Sequence, residues 1–331
     1  MKSLDHYWYT SSIITWLLLP LSWLYCLIAV IRRKLYRSNF LKSYSSSVPV
    51  IVIGNIVVGG SGKTPLLLSL CDYVQKKGFR PGAVSRASGG NVTRVKQVQS
   101  DHSTALVGDE PLMIFQRTGL PVVVGADRVA AVNYLLKNND CDIVLSDDGL
   151  QHYRMQRELE IAVIDSDRGF GNGFCLPAGP LRERRTRLQE VDIVIYNGSN
   201  SDTVDECSYS LQVVSLTKLN SNESRSLSSF SQAPVHAVAG IGNPERFFTQ
   251  LRKSGIDIID HVFPDHHDYG QDDFSGWDET CIIMTEKDAV KCGNLALTDA
   301  WVVKVEAMFS DRLESRLSEC LLPLLKHQAN K

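Results

Sequence analysis

The chain of 331 residues has room for about two domains, and 44% hydrophobic with 22% charged residues is the composition of a folded globular protein. A net charge of −2 provides no overall attraction to nucleic acid, so we expect no nucleic-acid partner. The eight cysteines are scattered and contain no C-x-x-C pair. This spacing argues against structural zinc and a disulfide framework, and it is typical of a reducing cytoplasm.

The N-terminal segment, residues 1–37, departs from this composition. Ile13 to Ile31 is an almost unbroken apolar run, about 28 Å long as a helix and close to the hydrocarbon thickness of a bilayer. Interfacial aromatic residues and a following basic segment predict a membrane helix with the rest of the chain in the cytoplasm. Thr15, Ser22 and Ala29 form a less apolar stripe. A helix that spans the bilayer, one that lies in its interface and a buried core helix are therefore the three alternatives.

The segment VPVIVIGNIVVGGSGKTP, residues 48–65, contains the motif that most directly indicates a function. An apolar strand over Val50–Ile53 leads into a glycine-rich turn and a helix over Leu66–Lys77. Such a unit binds phosphate through free backbone N–H groups and the positive end of the helix dipole. Val57 stands where the P-loop pattern has glycine, and a glycine-rich turn without a ligand is the alternative.

We predict a nucleotide phosphate site in which Lys63 reaches the β- and γ-phosphates and Thr64 binds Mg²⁺. The residues of this site are Val58, Gly59, Gly60, Ser61, Gly62, Lys63, Thr64 and Pro65.

Asp147 and Asp148 follow a second apolar strand, predicted over Ile143–Leu145. Paired aspartates at the carboxyl end of a buried strand are typical of the place where P-loop enzymes hold Mg²⁺. Taken alone, such a pair is also compatible with a turn or a helix cap. Downstream of the glycine-rich loop it favours a metal site, so Mg²⁺ is a predicted cofactor.

Strands and helices alternate along the rest of the chain, which predicts parallel sheets in both halves. Residues 217–232 are rich in Ser and Asn and are the predicted linker between a domain over 38–216 and a smaller αβ domain over 233–331. The remaining predicted strands are Arg80–Ser85, Leu120–Val124, Ile161–Ile164, Val191–Tyr196, Val235–Ala239, Ile256–Phe263, Cys281–Met284 and Trp301–Val305. The remaining predicted helices are Asp127–Leu136, one after Gly242, and Arg312–Leu325.

A turn-rich segment before residue 191 contains four closely spaced arginines: Arg182, Arg184, Arg185 and Arg187. They are compatible with a solvated face. They also suit a substrate phosphate or an anionic lipid surface, which the guanidinium group binds well. Next to an apolar N-terminal helix, the second interpretation is favoured.

Six segments occur together in this order: GNIVVGGSGKTP, VGDEP, SDDGLQH, GNGFCLPAGPLRE, FPDHH and TEKDAVK. With them, nearly the whole chain resembles the tetraacyldisaccharide 4′-kinases, the lipid A 4′-kinases of Gram-negative bacteria. The resemblance implies a P-loop NTPase-like αβα sandwich with a second, smaller αβ domain and a hydrophobic N-terminal membrane helix. It implies transfer of the γ-phosphate of ATP to the 4′-hydroxyl of a tetraacyldisaccharide 1-phosphate, forming lipid IV-A.

The same resemblance implies partners, a location and site residues. The partners are a lipid A disaccharide precursor and inner-membrane lipids, at the cytoplasmic face of the inner membrane. Asp109 resembles the catalytic aspartate of the family, which works with the histidine matched by His266, and Lys63 completes the catalytic set. A sugar hydroxyl has a high pKa, so a carboxylate–imidazole pair suits its deprotonation. Without the resemblance, His266 and His267 are equally compatible with a surface loop or a metal-like cluster.

Further motif positions are expected to bind substrate or phosphate: Glu110, Arg128, Gln151, His152 and Arg182. For Arg128, a salt bridge on a helix face is the alternative. The chain departs from the family at Ser88, where a tyrosine is common, and Tyr153 or Phe170 is expected to replace its contact. Two other classes are considered: a membrane-bound switch ATPase without a small substrate, and a soluble-metabolite kinase whose first helix belongs to the core.

Overall fold

A single mixed sheet runs through both halves of the protein in the computed structural model, which describes residues 7–10, 13–88, 90–198, 207–221, 223–230, 233–277 and 280–328. The strand order is β11-β10-β12-β13-β8-β7-β6-β1-β5-β2-β4-β3, and the short strand β9 pairs with β8. The strands are β1 Val50–Gly54, β2 Pro81–Ser85, β3 Lys96–Gln97, β4 Val122–Val124, β5 Ile143–Asp147, β6 Leu159–Asp165, β7 Ile193–Asn197, β8 Ser208–Lys218, β9 Ser224–Arg225, β10 Val235–Ala239, β11 Ile258–Val262, β12 Ile282–Thr285 and β13 Ala300–Phe309.

Helices cover the sheet and connect its parallel strands, as the alternation of elements predicts. They are α1 Ile13–Arg37, α2 Lys63–Lys76, α3 Thr104–Val107, α4 Asp109–Thr118, α5 Arg128–Asn138, α6 Pro244–Lys253, α7 Glu286–Cys292 and α8 Asp311–Gln328. Short 3₁₀ helices cover Arg185–Glu190, Leu227–Phe230 and Gln271–Phe274. The predicted α/β class is confirmed.

Strand register places the two predicted phosphate and metal motifs at one edge of the sheet. Strand β1 pairs in parallel with β5, and Ile53 lies beside Asp147. All five residues of each strand are buried. Because parallel strands end at the same edge, the loop after β1 and the Asp147–Asp148 pair are neighbours.

The joint between the halves differs from the expectation of parallel sheets. Strands β8 and β13 form a long antiparallel ladder from Tyr209 opposite Phe309 to Lys218 opposite Trp301. This ladder joins the β7 side of the first half to the β12 side of the second, so the sheet is continuous. The sequence predicted parallel sheets in each half, and it did not predict this antiparallel joint between them. Sequence reasoning missed β8, although Tyr209, Leu211 and Val213 alternate along it with polar residues.

Strand β8 also crosses the predicted boundary at residue 216. Part of the predicted linker is structured: β9 pairs with β8, and the 3₁₀ helix Leu227–Phe230 inserts Phe230 into the core of the second half. Residues 222, 231 and 232 of that segment lie outside the described residues. The ordered part is explained by Phe230, which packs edge-on against Trp301 at 5.2 Å between ring centroids.

Helix α1 lies against the first half with one face only. It is the one helix in the described part of the chain that is long and apolar enough to cross a membrane. Its buried residues are Thr15, Leu19, Ser22 and Cys26, and the Ser22 hydroxyl donates to the Cys175 carbonyl at 2.8 Å. The opposite face exposes large apolar side chains, among them Trp16, Leu17, Trp23, Leu24 and Ile28. The less apolar stripe therefore faces protein, and α1 is not a buried core helix.

Cysteine pairing was predicted incorrectly at one position. Cys26 of α1 and Cys175 form a disulfide across 149 residues of sequence. Sequence spacing contains no trace of a contact over this separation, which is why the expectation was of free thiols. The other six cysteines are free, and of these Cys71 and Cys292 are buried.

Candidate active site

The loop between β1 and α2 forms a phosphate-sized cradle at the sheet edge. Gly59 and Gly62 have φ of +105° and +79°, which disfavours any side chain. A Cβ at residue 62 would lie 2.6 Å from the Tyr209 hydroxyl, which donates to the Gly62 carbonyl at 2.6 Å, and would also collide with Asn197. Ser61 is buried and its hydroxyl accepts a hydrogen bond from Asn55 at 3.1 Å. Glycine at 62 is therefore required by geometry.

The cradle opens into a cleft of about 330 Å³ between the two halves. Gly59 to Pro65 line it, whereas Val58 does not, because its N–H donates to the Pro180 carbonyl at 2.8 Å. Of the other predicted site residues, Glu110, Asp148, Arg182 and His266 also line this cleft. Much of its apolar lining comes from the second half, with Ile241, Phe247, Val303 and Val305, and from Leu211 of β8.

Asp148 is held between two cations. Arg182 contacts it at 2.8 Å and the Lys63 ammonium at 3.4 Å. Burial alone raises the pKa of Asp148, but Lys63 and Arg182 outweigh it and lower that pKa to about 2. Asp148 is therefore a fixed negative charge beside the phosphate loop.

Asp147 has a different environment. It is buried, and burial together with the nearby Glu110 and Asp148 carboxylates raises its pKa to about 7. One carboxylate oxygen accepts from the Ser85 hydroxyl at 3.0 Å, and the other is buried with no hydrogen-bond partner among the described residues. An unpaired oxygen in a carboxylate cluster suits a hard divalent cation.

Asp109 and His266 meet across the cleft. Asp109 begins α4 in the first half, and His266 lies in the loop after β11 in the second, with φ of +62°. The His266 Nδ1 is 2.9 Å from the Asp109 Oδ2. The hydrogen bond to Asp109 raises the pKa of His266. The pKa of Asp109 is lowered: burial opposes this, but the hydrogen bond to His266 and the charge of Lys287 prevail.

Two predicted substrate residues act inside the protein. Arg128 is 2% exposed and donates to the carbonyls of Gly125 and Asp147 at 2.8 and 3.1 Å, so it supports the aspartate pair from behind. His152 is half-buried, and burial lowers its pKa to about 4, so it is neutral at pH 7. Neither of them lines the cleft.

Gln151 connects two parts of the site. Its amide donates to the Asn55 carbonyl at 3.1 Å and to the Glu183 carboxylate at 3.1 Å. Its oxygen lies 3.5 Å from Arg182. Gln151 therefore links the base of the phosphate loop to the arginine that holds Asp148.

The arginine-rich segment does not form one surface. Arg187 is buried between Glu160 and Glu183, and Arg182 holds Asp148. Arg184 and Arg185 are exposed, and Arg185 lies over the Phe170 ring at 4.0 Å. Only this second pair is available to meet a lipid surface.

Sequence reasoning missed Glu183, a buried hub of this side of the site. It accepts hydrogen bonds from Tyr153 at 2.5 Å and Gln151 at 3.1 Å, and it contacts Arg33 of α1 at 3.4 Å. Its place in PLRE, next to Arg182, was the only hint in the sequence. Lys287 of the TEKDAVK segment was missed as well: it lines the cleft close to Asp109.

A glycine loop before a lysine-led helix, an aspartate pair on the adjacent strand and a carboxylate–histidine pair across one cleft define a P-loop phosphotransferase. The model of the family described as "Tetraacyldisaccharide-1-P 4'-kinase" matches residues 14–322. The chain belongs to this family, as its motifs indicate.

Relatives and a solved structure agree over almost the full length. The tetraacyldisaccharide 4′-kinase of Hahella chejuensis is 44% identical over 325 residues, covering 95% of this chain and 96% of its own. That of Nitrosococcus oceani is 43% identical over 326 residues, covering 98% and 95%. The structure of LpxK from Aquifex aeolicus in complex with ATP aligns with a TM-score of 0.81 at 26% identity, covering 94% and 99%. The switch ATPase alternative is not supported.

Proposed function

We propose that this kinase transfers the γ-phosphate of ATP to the 4′-hydroxyl of a tetraacyldisaccharide 1-phosphate, a lipid A disaccharide precursor, to form lipid IV-A. Family membership and the names of its relatives support the reaction, and the ATP complex of the Aquifex structure supports the donor. The observation that carries the chemistry is the 2.9 Å contact between Asp109 and His266, because His266 lines the same cleft as Lys63.

The phosphate side of the cleft binds the donor. Gly59 to Pro65 surround the phosphates, and the α2 N-terminus favours their negative charge. Lys63, now paired with Asp148 at 3.4 Å, is placed to contact the β- and γ-phosphates. Arg182 is the second cation next to them. Together these groups compensate charge on the transferring phosphoryl group.

Thr64, Asp147 and Asp148 are the residues that would hold Mg²⁺. The unpaired buried oxygen of Asp147 fits a divalent cation. When bound there, Mg²⁺ would supply positive charge that compensates the negative charge developing on the transferring phosphoryl group. Arg128 fixes the aspartate pair through the Asp147 carbonyl.

The second side of the cleft accepts the proton. Asp109 stays ionised because the hydrogen bond to His266 and the Lys287 charge lower its pKa against the effect of burial. The sugar hydroxyl would approach the Asp109–His266 pair with its oxygen facing the γ-phosphate. The pair then takes up the hydroxyl proton as the new P–O bond forms, while the bond from the γ-phosphorus to the bridging oxygen breaks and ADP leaves. Glu110 is expected to contact the sugar next to this pair.

The first helix would hold the enzyme where acyl chains are accessible. Its exposed apolar face and its docked polar stripe favour a helix that lies in the cytoplasmic interface of the inner membrane. Inner-membrane lipids would contact Trp16, Leu17 and Leu24, and the exposed Arg184 and Arg185 would face anionic headgroups. No nucleic-acid partner is proposed.

Transfer of labelled γ-phosphate tests the proposal. Wild type with MgATP and detergent-dispersed tetraacyldisaccharide 1-phosphate should give labelled lipid product. Asp109→Asn should lower kcat on the order of 10²-fold because the proton acceptor is lost, while the exposed Asp72→Asn variant on α2 should match wild type. No transfer by a folded, ATP-binding wild type would refute the proposed reaction.

A further inference from the structure

Lys287, from the second half, sits among three carboxylates beside the Asp109–His266 pair. Its ammonium lies 3.0 Å from Asp265, 3.2 Å from Glu110 and 3.8 Å from Asp109. The side chain is 15% exposed. Burial acts against the charge, yet Glu110, Asp109 and Asp265 raise the pKa of Lys287, so it is a cation at any working pH. Lys287 is thus the positive group at the centre of a cluster whose carboxylates come from both halves.

The backbone that carries Lys287 is firmly anchored. Thr285 caps α7, accepting from the Asp288 N–H at 3.2 Å. The buried Asp288 carboxylate accepts in turn from the Tyr269 hydroxyl at 3.0 Å and the Gly240 N–H at 3.1 Å. Because the backbone of Lys287 is held in place, its ammonium group lies at a defined position next to Asp109.

A neighbouring ion pair shows what a purely structural contact would be. Arg117 of α4 contacts Glu286 of α7 at 2.8 Å, also across the halves and with a side chain only 12% exposed. Arg117 influences neither Asp109 nor His266 in the way that Lys287 does, since Lys287 lowers the pKa of both. Both cations lie where α4 and α7 pack together. Arg117 faces Glu286, whereas Lys287 faces Asp109.

We propose that Lys287 is a positioning residue for phosphoryl transfer: it balances the Asp109, Glu110 and Asp265 carboxylates, so that Asp109 faces His266 as a carboxylate and the pair accepts the hydroxyl proton. The proposal rests on the role proposed above for Asp109 and His266. Without Lys287, the Asp109, Glu110 and Asp265 carboxylates lose the cation that contacts all three; the His266 contact with Asp109 remains, and the charge of Lys291 still lowers the pKa of Asp109. His266 then holds its proton more tightly, and the pair is a poorer proton acceptor at neutral pH.

The groups that set the titration of His266 come from every surrounding element. Asp109 on α4, Asp265 in its own loop and Lys287 on α7 act on the pKa of His266 directly. Glu110 on α4 contacts Lys287, and Lys291 on α7 lowers the pKa of Asp109. Lys291 contacts Asp288 at 3.0 Å and is occupied there. Removing the Lys287 charge leaves the hydrogen bond to Asp109, which raises the pKa of His266, without the cation that opposes it. Removal of the Lys287 charge is therefore expected to raise the pKa of His266.

The test compares Lys287→Met with Arg117→Met and the conservative Lys287→Arg. NMR titration of His266, assigned by loss of its signal in His266→Gln, should give a midpoint about one pH unit higher in Lys287→Met. Its kcat should be about tenfold lower at pH 7 and should recover as the pH rises. Lys287→Arg should restore most of both values. Arg117→Met should lower stability and leave the titration and the shape of the pH profile unchanged.

An unmoved or lower His266 midpoint in Lys287→Met, or a loss of kcat that is the same at every pH, would overturn the proposal and leave Lys287 as a contact between the halves. The titration needs no lipid substrate. If the wild type failed to make product, the proposed reaction would fail, but the His266 midpoint would still decide the role of Lys287.

Discussion

The two sides of the cleft are assembled in different ways. The phosphate side uses a contiguous loop, Gly59 to Pro65, and strand ends from the first half. The opposite side joins Asp109 to His266 at 2.9 Å, although 157 residues separate them in sequence. By the proposed roles, the phosphates of the donor bind to one half, whereas the Asp109–His266 pair exists only where the halves meet. Substitutions in the phosphate loop should therefore change mainly ATP affinity, and substitutions in the Asp109–His266 pair should change mainly kcat.

The largest expected effect is on the phosphate side. Lys63→Met removes the cation that contacts Asp148 and, by the proposed role, the phosphates. We expect kcat/KM for ATP to fall on the order of 10³-fold. Lys76→Met, at the exposed end of the same helix, is the control. Unchanged ATP binding in Lys63→Met would mean that the donor binds elsewhere.

The role of the phosphate loop is tested by alanine substitution at two glycines with similar backbone conformations. Gly62 and Gly78 both have positive φ, so alanine costs each about 1–2 kcal/mol. Only at residue 62 would the new Cβ also collide with Asn197 and Tyr209. Thermal unfolding should show a larger loss for Gly62→Ala, and MgATP titration should show weaker binding in that variant alone. Equal losses in both would contradict the role assigned to the loop packing.

A smaller effect is expected from the hub behind the phosphate side. Glu183→Gln removes the charge that holds Arg33, Arg187 and, through Gln151, Arg182. We expect kcat to fall about tenfold and unfolding free energy to drop by about 1–3 kcal/mol. Glu190→Gln, a more exposed partner of Arg33, should change both much less. Similar effects from the two variants would show that Glu183 does not organise the site.

The smallest effect on chemistry belongs to the apolar face of α1. Leu24→Glu should weaken binding to anionic phospholipid vesicles about tenfold, because a half-exposed leucine contributes roughly 1–2 kcal/mol when buried in lipid. Turnover on detergent-dispersed substrate should hardly change. Val214→Glu replaces a similarly exposed residue on β8 and is the matched control for vesicle flotation. Equal flotation of the two variants would argue against a membrane role for this face.

Local patterns were enough to predict much of the fold and part of the site. The strand Val235–Ala239 was predicted at its observed bounds, and β5 was predicted short by two residues because Ser146 and Asp147 are polar yet buried. The phosphate loop and the aspartate pair could be predicted because each is a contiguous motif in the sequence. The pairing of Asp109 with His266 came only from family resemblance, and the structure brings the two together.

Contacts between residues far apart in the chain could not be predicted from the sequence. The β8–β13 ladder, the Cys26–Cys175 disulfide and the buried Glu183 all depend on residues 30 or more apart in sequence. Charged residues such as Arg187 look solvated in sequence, and only the fold shows that Glu160 makes its burial possible. The sites assigned to Mg²⁺ and to the lipid stay predictions.

The central claim is that Asp109 and His266 act as one unit, and a double-mutant cycle on kcat tests it most directly. Asp109→Asn and His266→Gln should each lower phosphoryl transfer on the order of 10²-fold. If they act as a unit, the double variant should lose no more than the worse single variant, with ATP affinity kept in all three. Losses that multiply in the double variant would show two independent contributions and contradict the account.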